Sequence, residues 1–303
     1  MADINPEITI VEVGPRDGLQ NEKRSVSTQD KLALIRLLRA ACLPRLEITA
    51  FVSPKWVPQM ADHEAVLRGT PSADGLIRSV LVPNERGALA ALAIGVEELA
   101  IFTSASETFA RRNINCSIPE SIERFARVAE LARDHSIRLR GYVSCALECP
   151  YEGLISPRDA ARVAQSLAEL GCIEISLADT IGAATPSRVD AMLKAVSATL
   201  PPARLACHFH DTFGHALENV DVALTHGIRV FDSAIGGLGG CPYAPGAAGN
   251  LGTIPLVTHL EGKGLSTGVD IARLRLAEEF ADSLRGESAK RTHSSFIIMG
   301  GSA

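Results

Sequence analysis

Eight short β-rich runs recur along the chain at intervals of roughly 25 to 40 residues, and stretches of helical periodicity separate them. The runs are residues 8–13, 46–51, 77–82, 98–103, 138–144, 173–177, 204–210 and 229–235, with helical patterns at 28–41, 84–93, 121–134, 157–170, 186–199 and 217–226. Ser156-Pro157 and Thr185-Pro186 put a hydroxyl at the cap and proline in the first turn, a helix-start signal. Strands that alternate with helices pair in parallel, because each crossover needs a helix. Two architectures accept such a series, a closed barrel and an open doubly wound sheet. No G-x-G-x-x-G follows the first strand, and a count of eight suits closure. The expectation is an α/β protein, a (β/α)8 TIM barrel with a C-terminal helical extension. One domain is expected over 1–303, the barrel spanning about 8–262 and the extension about 263–303 with a helix at 270–284.

Composition removes several function classes. Of 303 residues, 46% are hydrophobic, which suits a folded globular chain rather than a disordered one. Thirty basic against 35 acidic residues give a formal charge of −5, so no nucleic-acid partner is expected. The longest apolar region, 87–102, is interrupted by Glu97 and Glu98 and is too short to span a bilayer, so no membrane partner is expected. Residues 1–7 are acidic and lack an apolar stretch, which predicts neither signal nor transit peptide. Seven irregularly spaced cysteines read as reduced thiols in a cytoplasmic protein, with Cys42, Cys172 and Cys207 in apolar runs as small core residues.

Barrels of this kind carry their chemistry at the C-terminal ends of the strands, and polar residues collect there. The first strand runs out into Arg16 and Asp17, the second carries Glu47 among apolar neighbours, and the sixth ends at Asp179. The seventh reads Cys207-His208-Phe209-His210-Asp211, which sends both imidazoles to one face. That is half of a metal site, or else a pair of hydrogen-bonded histidines. The eighth is followed by Gly236-Gly237-Leu238-Gly239-Gly240-Cys241, a loop that permits a tight turn or an anion contact and is tipped by a thiol. Buried partners of Arg16 or Lys55 are the alternative reading of Glu47 and Asp179. Asp211 reads as a helix cap, and His215, His226, His259 and His293 take no role.

The run Val11-Glu12-Val13-Gly14-Pro15-Arg16-Asp17-Gly18-Leu19-Gln20-Asn21-Glu22-Lys23 resembles the opening signature of the 3-hydroxy-3-methylglutaryl-CoA lyase family, within the DRE-TIM metallolyase superfamily. The likeness continues through Phe51-Val52-Ser53-Pro54-Lys55-Trp56, Asn113-Ile114-Asn115-Cys116-Ser117, Cys149-Pro150-Tyr151-Glu152-Gly153, Asp179-Thr180-Ile181-Gly182, Gly239-Gly240-Cys241-Pro242-Tyr243 and Gly249-Asn250-Leu251. The resemblance implies retro-Claisen cleavage of a 3-hydroxy-3-methylglutaryl thioester to acetyl-CoA and acetoacetate. It implies Asp17, His208, His210 and Asn250 as ligands of a divalent cation, Mg2+ or Mn2+. Arg16, Cys241, Glu47, Asp179 and the ligand His208 become the catalytic set. Arg16 would stabilise the enolate and Cys241 would return its proton, while Glu47 and Asp179 would position substrate or act as acid or base. Arg16, Gln20, Asn115 and Lys23 would bind the acyl-CoA substrate, and the chain would form a homo-oligomer, a dimer or tetramer.

Departures from the family pattern bear on the acyl group. Ile254 stands where a glutamate is usual, Ala50 replaces serine, Cys42 replaces glycine, and Ala146-Leu147-Glu148 replaces smaller residues. The same chemistry on another 3-hydroxy-3-alkylglutaryl or citramalyl-type thioester is therefore an alternative. A Claisen-type synthase and a non-catalytic barrel that binds CoA esters are the remaining readings.

Overall fold

The computed structural model describes residues 7–22, 24–239 and 249–285. Eight strands form the sheet: β1 (Thr9–Glu12), β2 (Arg45–Ala50), β3 (Ile77–Leu81), β4 (Glu98–Ser104), β5 (Arg138–Ser144), β6 (Glu174–Asp179), β7 (Leu205–Phe209) and β8 (Val230–Ser233). Neighbours in sequence are neighbours in space and all are parallel, and β1 pairs with β8 (Thr9 opposite Val230, Glu12 opposite Ser233) to close the barrel. Every strand expected from the sequence forms within two or three residues of its expected bounds.

Among the described residues ten helices lie outside the barrel, most of them burying faces of Val, Leu, Ile and Ala. They are α1 (Thr28–Ala40), α2 (His63–Gly69), α3 (Glu85–Ile94), α4 (Glu107–Ile114), α5 (Ile118–Asp134), α6 (Pro157–Leu170), α7 (Pro186–Ser197), α8 (Ala216–Thr225), α9 (Thr253–Gly262) and α10 (Ile271–Leu284). Ser117 and Glu120 form a reciprocal capping box at α5, and Ser156 caps α6 as its sequence predicts. Asp211 accepts from Ala216 N at the start of α8. The extension helix α10 packs outside the barrel against α1, with Arg273 donating to the Ala40 carbonyl. A two-stranded hairpin, Glu148–Cys149 with Gly153–Leu154, leaves the mouth after β5. Among the described residues no helix is long and apolar enough to cross a membrane.

One core assignment needs correction. Cys172 and Cys207 are buried, but Cys42 is exposed. It follows α1 with φ 63°, a left-handed position that ends the helix and turns its side chain outward.

The barrel interior is ionic at its lower end. Arg45 pairs with Glu98 and Glu174 at 2.8 Å each, and Arg140, fully buried, pairs with Glu174 and Asp232 at 2.7 Å each. Arg140 also donates to Tyr142 Oη (2.5 Å), whose hydroxyl donates to Glu47 (2.7 Å). Glu47 in turn receives Arg16 through Nε and Nη2, both at 2.9 Å. A single chain of charge-assisted contacts thus runs from Arg45 up to the mouth.

The closing seam has its own clamp. The fully buried Glu12 accepts from Gly14 N (2.8 Å), Ile235 N (2.8 Å) and Thr253 Oγ1 (2.6 Å), joining β1 to the exit of β8 and to α9. Burial pushes its carboxyl up to about 7 against those three hydrogen bonds. Because the folded carboxyl holds its proton more tightly than an ordinary one at 4.5, its contribution to stability is full below pH 4.5 and lost as pH rises through 7. Relative to Glu12→Gln, the wild-type unfolding free energy is expected to fall across that window by at most about 3 kcal/mol. Urea denaturation of both proteins at a series of pH values measures this, and a flat difference would refute it.

Candidate active site and metal centre

The β1 exit is a π-helical turn, Gly14–Gly18, of the kind often found at functional sites. The Val13 carbonyl accepts from the N–H groups of Arg16, Asp17 and Gly18, so the turn is wound tightly enough to aim Arg16 and Asp17 at the mouth. Gly18 lies so close to Leu238 that a Cβ there would stand 2.6 Å from the Leu238 Cβ. Gly239, at φ +95°, lies against the Asn250 amide in the same way, at 2.8 Å.

His208 and His210 project to one side from the end of β7, their ring centroids 5.2 Å apart. Ligating atoms of Asp17, His208 and His210 all lie within 4.8 Å of one another. His210 pairs with Asn250 through an isolated β-bridge, which brings the fourth expected ligand alongside. Asn250 donates its amide to Asp17 Oδ2 and to the Leu238 carbonyl, both at 2.9 Å, and this leaves Oδ1 buried with no hydrogen-bond partner. His210 Nδ1 is likewise buried without a partner. Orphaned buried acceptors are costly. Two of them beside a carboxylate fit a divalent cation, and the N/O donor set suits Mg2+, Mn2+ or Zn2+ better than a thiolate-seeking metal.

The local electrostatics agree. Burial alone would raise Asp17, but the charges of Arg16, His208 and His210 bring it down to about 2, keeping it anionic. Burial and the neighbouring His208 push His210 down to about 4, leaving a neutral imidazole able to bind. For His208 the hydrogen bond to Asp232 and that residue's charge outweigh burial and raise it above its ordinary value. Burial opposes the charge on Arg16, but Glu47 and Asp17 overcome this and raise it further.

Above the cluster opens a cavity of 810 Å³ whose lining includes Arg16, Asp17, Gln20, Asn115, His208 and His210. That size suits a small-molecule site. Gln20 Oε1 is buried and unpartnered, and Asn115 holds a left-handed cap at the end of α4. Arg111, Arg112 and Arg124 line the cavity on the α4–α5 side, with Arg112 stacked on the Tyr151 ring at 4.3 Å. Lys23 and Cys241 lie outside the described residues.

Glu47 and Asp179 are buried beside the site and do not line the cavity. Both Glu47 oxygens are engaged by Arg16 and Tyr142, and those of Asp179 accept from Ala183 N and Ala184 N. Burial outweighs these backbone bonds and raises the Asp179 carboxyl to about 6. The alternative reading of Glu47 as a partner of Arg16 thus holds. Ile254 is buried in the first turn of α9, within the apolar core.

Sequence reading missed Tyr142, Arg140 and Asp232, all within the site or its support. The signal was present in the alternation of Arg138, Arg140, Tyr142 and Ser144 along β5, and in one carboxylate inside the apolar β8. The polar face of each such strand points into the barrel.

The sequence profile of the HMGL-like family matches residues 7–281. The hydroxymethylglutaryl-CoA lyase of Rattus norvegicus mitochondria is 54% identical over 280 residues, 92% of this chain and 86% of that one. The cytoplasmic 3-hydroxy-3-methylglutaryl-CoA lyase of Danio rerio is 52% identical over 273 residues, 90% of this chain and 82% of that one. Among solved structures, the HMG-CoA lyase of Brucella melitensis superposes with TM-score 0.91 at 53% identity, covering 92% of this chain and 99% of that one. An HMG-CoA lyase from Acinetobacter baumannii, solved with coenzyme A and 3-methylmalate, gives 0.88 at 36% identity over 97% and 98%. With a family match over nearly its whole length and relatives this similar, the chain belongs to the HMGL-like family.

Proposed function

We propose that this chain is a divalent-metal-dependent carbon–carbon lyase that cleaves 3-hydroxy-3-methylglutaryl-CoA to acetyl-CoA and acetoacetate, in the cytoplasm. The observation that carries the reading is the cluster of Asp17, His208 and His210 with the unpartnered Asn250 Oδ1, set beside a buried arginine. The names of the relatives at 52–54% identity support the substrate. The arginines lining the cavity suit the phosphates of a CoA thioester. Asp17, His208, His210 and Asn250 would hold the ion, Mg2+ or Mn2+. When bound, the cation supplies Lewis acidity toward the substrate's oxygens, favouring loss of the tertiary hydroxyl proton.

The chain's own groups do the rest. As that proton passes to water at the mouth, the C2–C3 bond breaks, C3 becomes the ketone of acetoacetate and C2 becomes the enolate of acetyl-CoA. Arg16 stabilises the enolate oxygen: the residue is 7% exposed and its guanidinium is pinned at two nitrogens by Glu47, so it is pre-aimed in a dry site. Glu47 acts as the residue that positions Arg16. Asp179 holds the turn after β6, whose Thr180 lines the cavity. Gln20 turns its free carbonyl toward the acyl group, and Asn115 and Lys23 serve the CoA portion. Cys241 protonates the enolate carbon, which completes acetyl-CoA.

A citramalyl-type substrate is the second reading, favoured by the relative solved with 3-methylmalate. A panel of acyl-CoA thioesters with Mg2+ or Mn2+ separates the two, and acetyl-CoA is expected foremost from 3-hydroxy-3-methylglutaryl-CoA. Acetyl-CoA from no thioester would overturn the lyase reading. His210→Ala is expected to lose bound metal, measured by elemental analysis, together with more than about 99% of turnover. Cys241→Ala should lower kcat about 10²- to 10⁴-fold with KM little changed, and equal losses in both constants would remove its proton-donor role.

A further inference from the structure

Asp232 has four hydrogen-bond contacts inside the barrel. Its Oδ1 receives Arg140 Nη2 at 2.7 Å, and its Oδ2 receives Ser176 Oγ at 2.9 Å and faces His208 Nδ1 at 3.2 Å, with Arg140 Nη1 at 3.3 Å from the same oxygen. The carboxylate is 1% exposed. It therefore never meets substrate and has no place among the groups that react. Its position is fixed by the sheet itself, because Asp232 and His208 are register partners on β8 and β7. The Tyr142 ring stands edge-on to the His208 ring, their centroids 6.4 Å apart.

We propose that Asp232 is a positioning residue for the metal centre, one that holds His208 as the Nδ1–H tautomer and so commits Nε2 to the cation. A histidine has two nitrogens, and the hydrogen bond made by one decides what the other can do. Without an anionic acceptor at Nδ1 the ring is free to place its proton on either nitrogen, and half of the H-x-H pair is no longer committed to binding. The bland alternative is that Asp232 only neutralises Arg140. Arg140 already has Glu174 at 2.7 Å, and Ser176 and His208 both address the Asp232 oxygen that its shortest arginine contact leaves free. Those contacts are superfluous for a counter-ion.

This inference rests on the metal-centre reading above, and the test separates their failures. Mn2+ affinity of the full-length protein is measured by electron paramagnetic resonance, and the His208 tautomer by long-range 1H–15N NMR of the metal-free protein. Asp232→Asn keeps the volume and removes the charge. It is expected to weaken Mn2+ binding about 10- to 100-fold and to shift His208 away from the Nδ1–H form. Glu174→Gln breaks ion pairs to Arg45 and Arg140 in the same lattice without touching His208. It is expected to lower the thermal midpoint while leaving Mn2+ affinity and the tautomer as in wild type. Unchanged Mn2+ binding in Asp232→Asn, or an equal loss in Glu174→Gln, would overturn the positioning role alone. No Mn2+ binding by the wild type would overturn the metal centre along with it.

Discussion

Arg140 is a guanidinium with no access to water, and the barrel is organised around satisfying it. Glu174 and Asp232 take its charge and Tyr142 takes one of its remaining donors. Removing that many charges from water cancels most of the attraction between them, so the lattice adds little net stability beyond the apolar core. Its contribution is geometric. The two carboxylates come from two other strands, β6 and β8, so a slip of either strand by one residue would turn its charge to the opposite face and leave Arg140 short of a partner. The register that satisfies Arg140 is the register that sets Asp232 beside His208, and Tyr142 below Glu47 and Arg16.

The mouth inherits this order. Arg16 and Asp17 sit side by side on the π-helical turn, one held by Glu47 from below and the other by Asn250 from the side. A cation, an anion, two imidazoles and an amide oxygen are thereby packed together with little solvent; the neighbouring charges keep Asp17 ionised, while burial and His208 keep His210 neutral. No large rearrangement is needed to gather the donors. The same packing explains why Gly18 and Gly239 carry no side chain, since the β8 exit is pressed directly onto the β1 turn.

Much of this was legible in the sequence for a simple reason. Strand identity is written in local runs of β-branched and apolar residues, and the H-x-H step follows from the two-residue period of a strand. The closed barrel agrees with what the series of runs implied, and the fold gathers Asp17, His208, His210 and Asn250 at one mouth. Orientation was harder. Whether a carboxylate faces a cavity or is consumed by its neighbours depends on partners distant in sequence: Glu47 meets Arg16 across 31 positions and Tyr142 across 95. Short elements such as α2 and α4 offered too few residues to show a period. Asp232 escaped notice because an isolated acid in β8 gives no sign of which histidine it will meet.

Glu12 adds a temporal dimension to the fold. It lies early in the chain, yet apart from Gly14 N the donors that its oxygens meet, Ile235 N and Thr253 Oγ1, come more than two hundred residues later. During synthesis the first strand therefore emerges with a carboxylate that has no partner beyond Gly14 until almost the whole barrel has been made. The seam cannot close piecemeal from the N-terminal end. A chain cut short before α9 would keep all eight strands and lack the Thr253 donor, leaving Glu12 Oε2 without a partner at the seam. The clamp thus becomes complete only after both β8 and the start of α9 have been made.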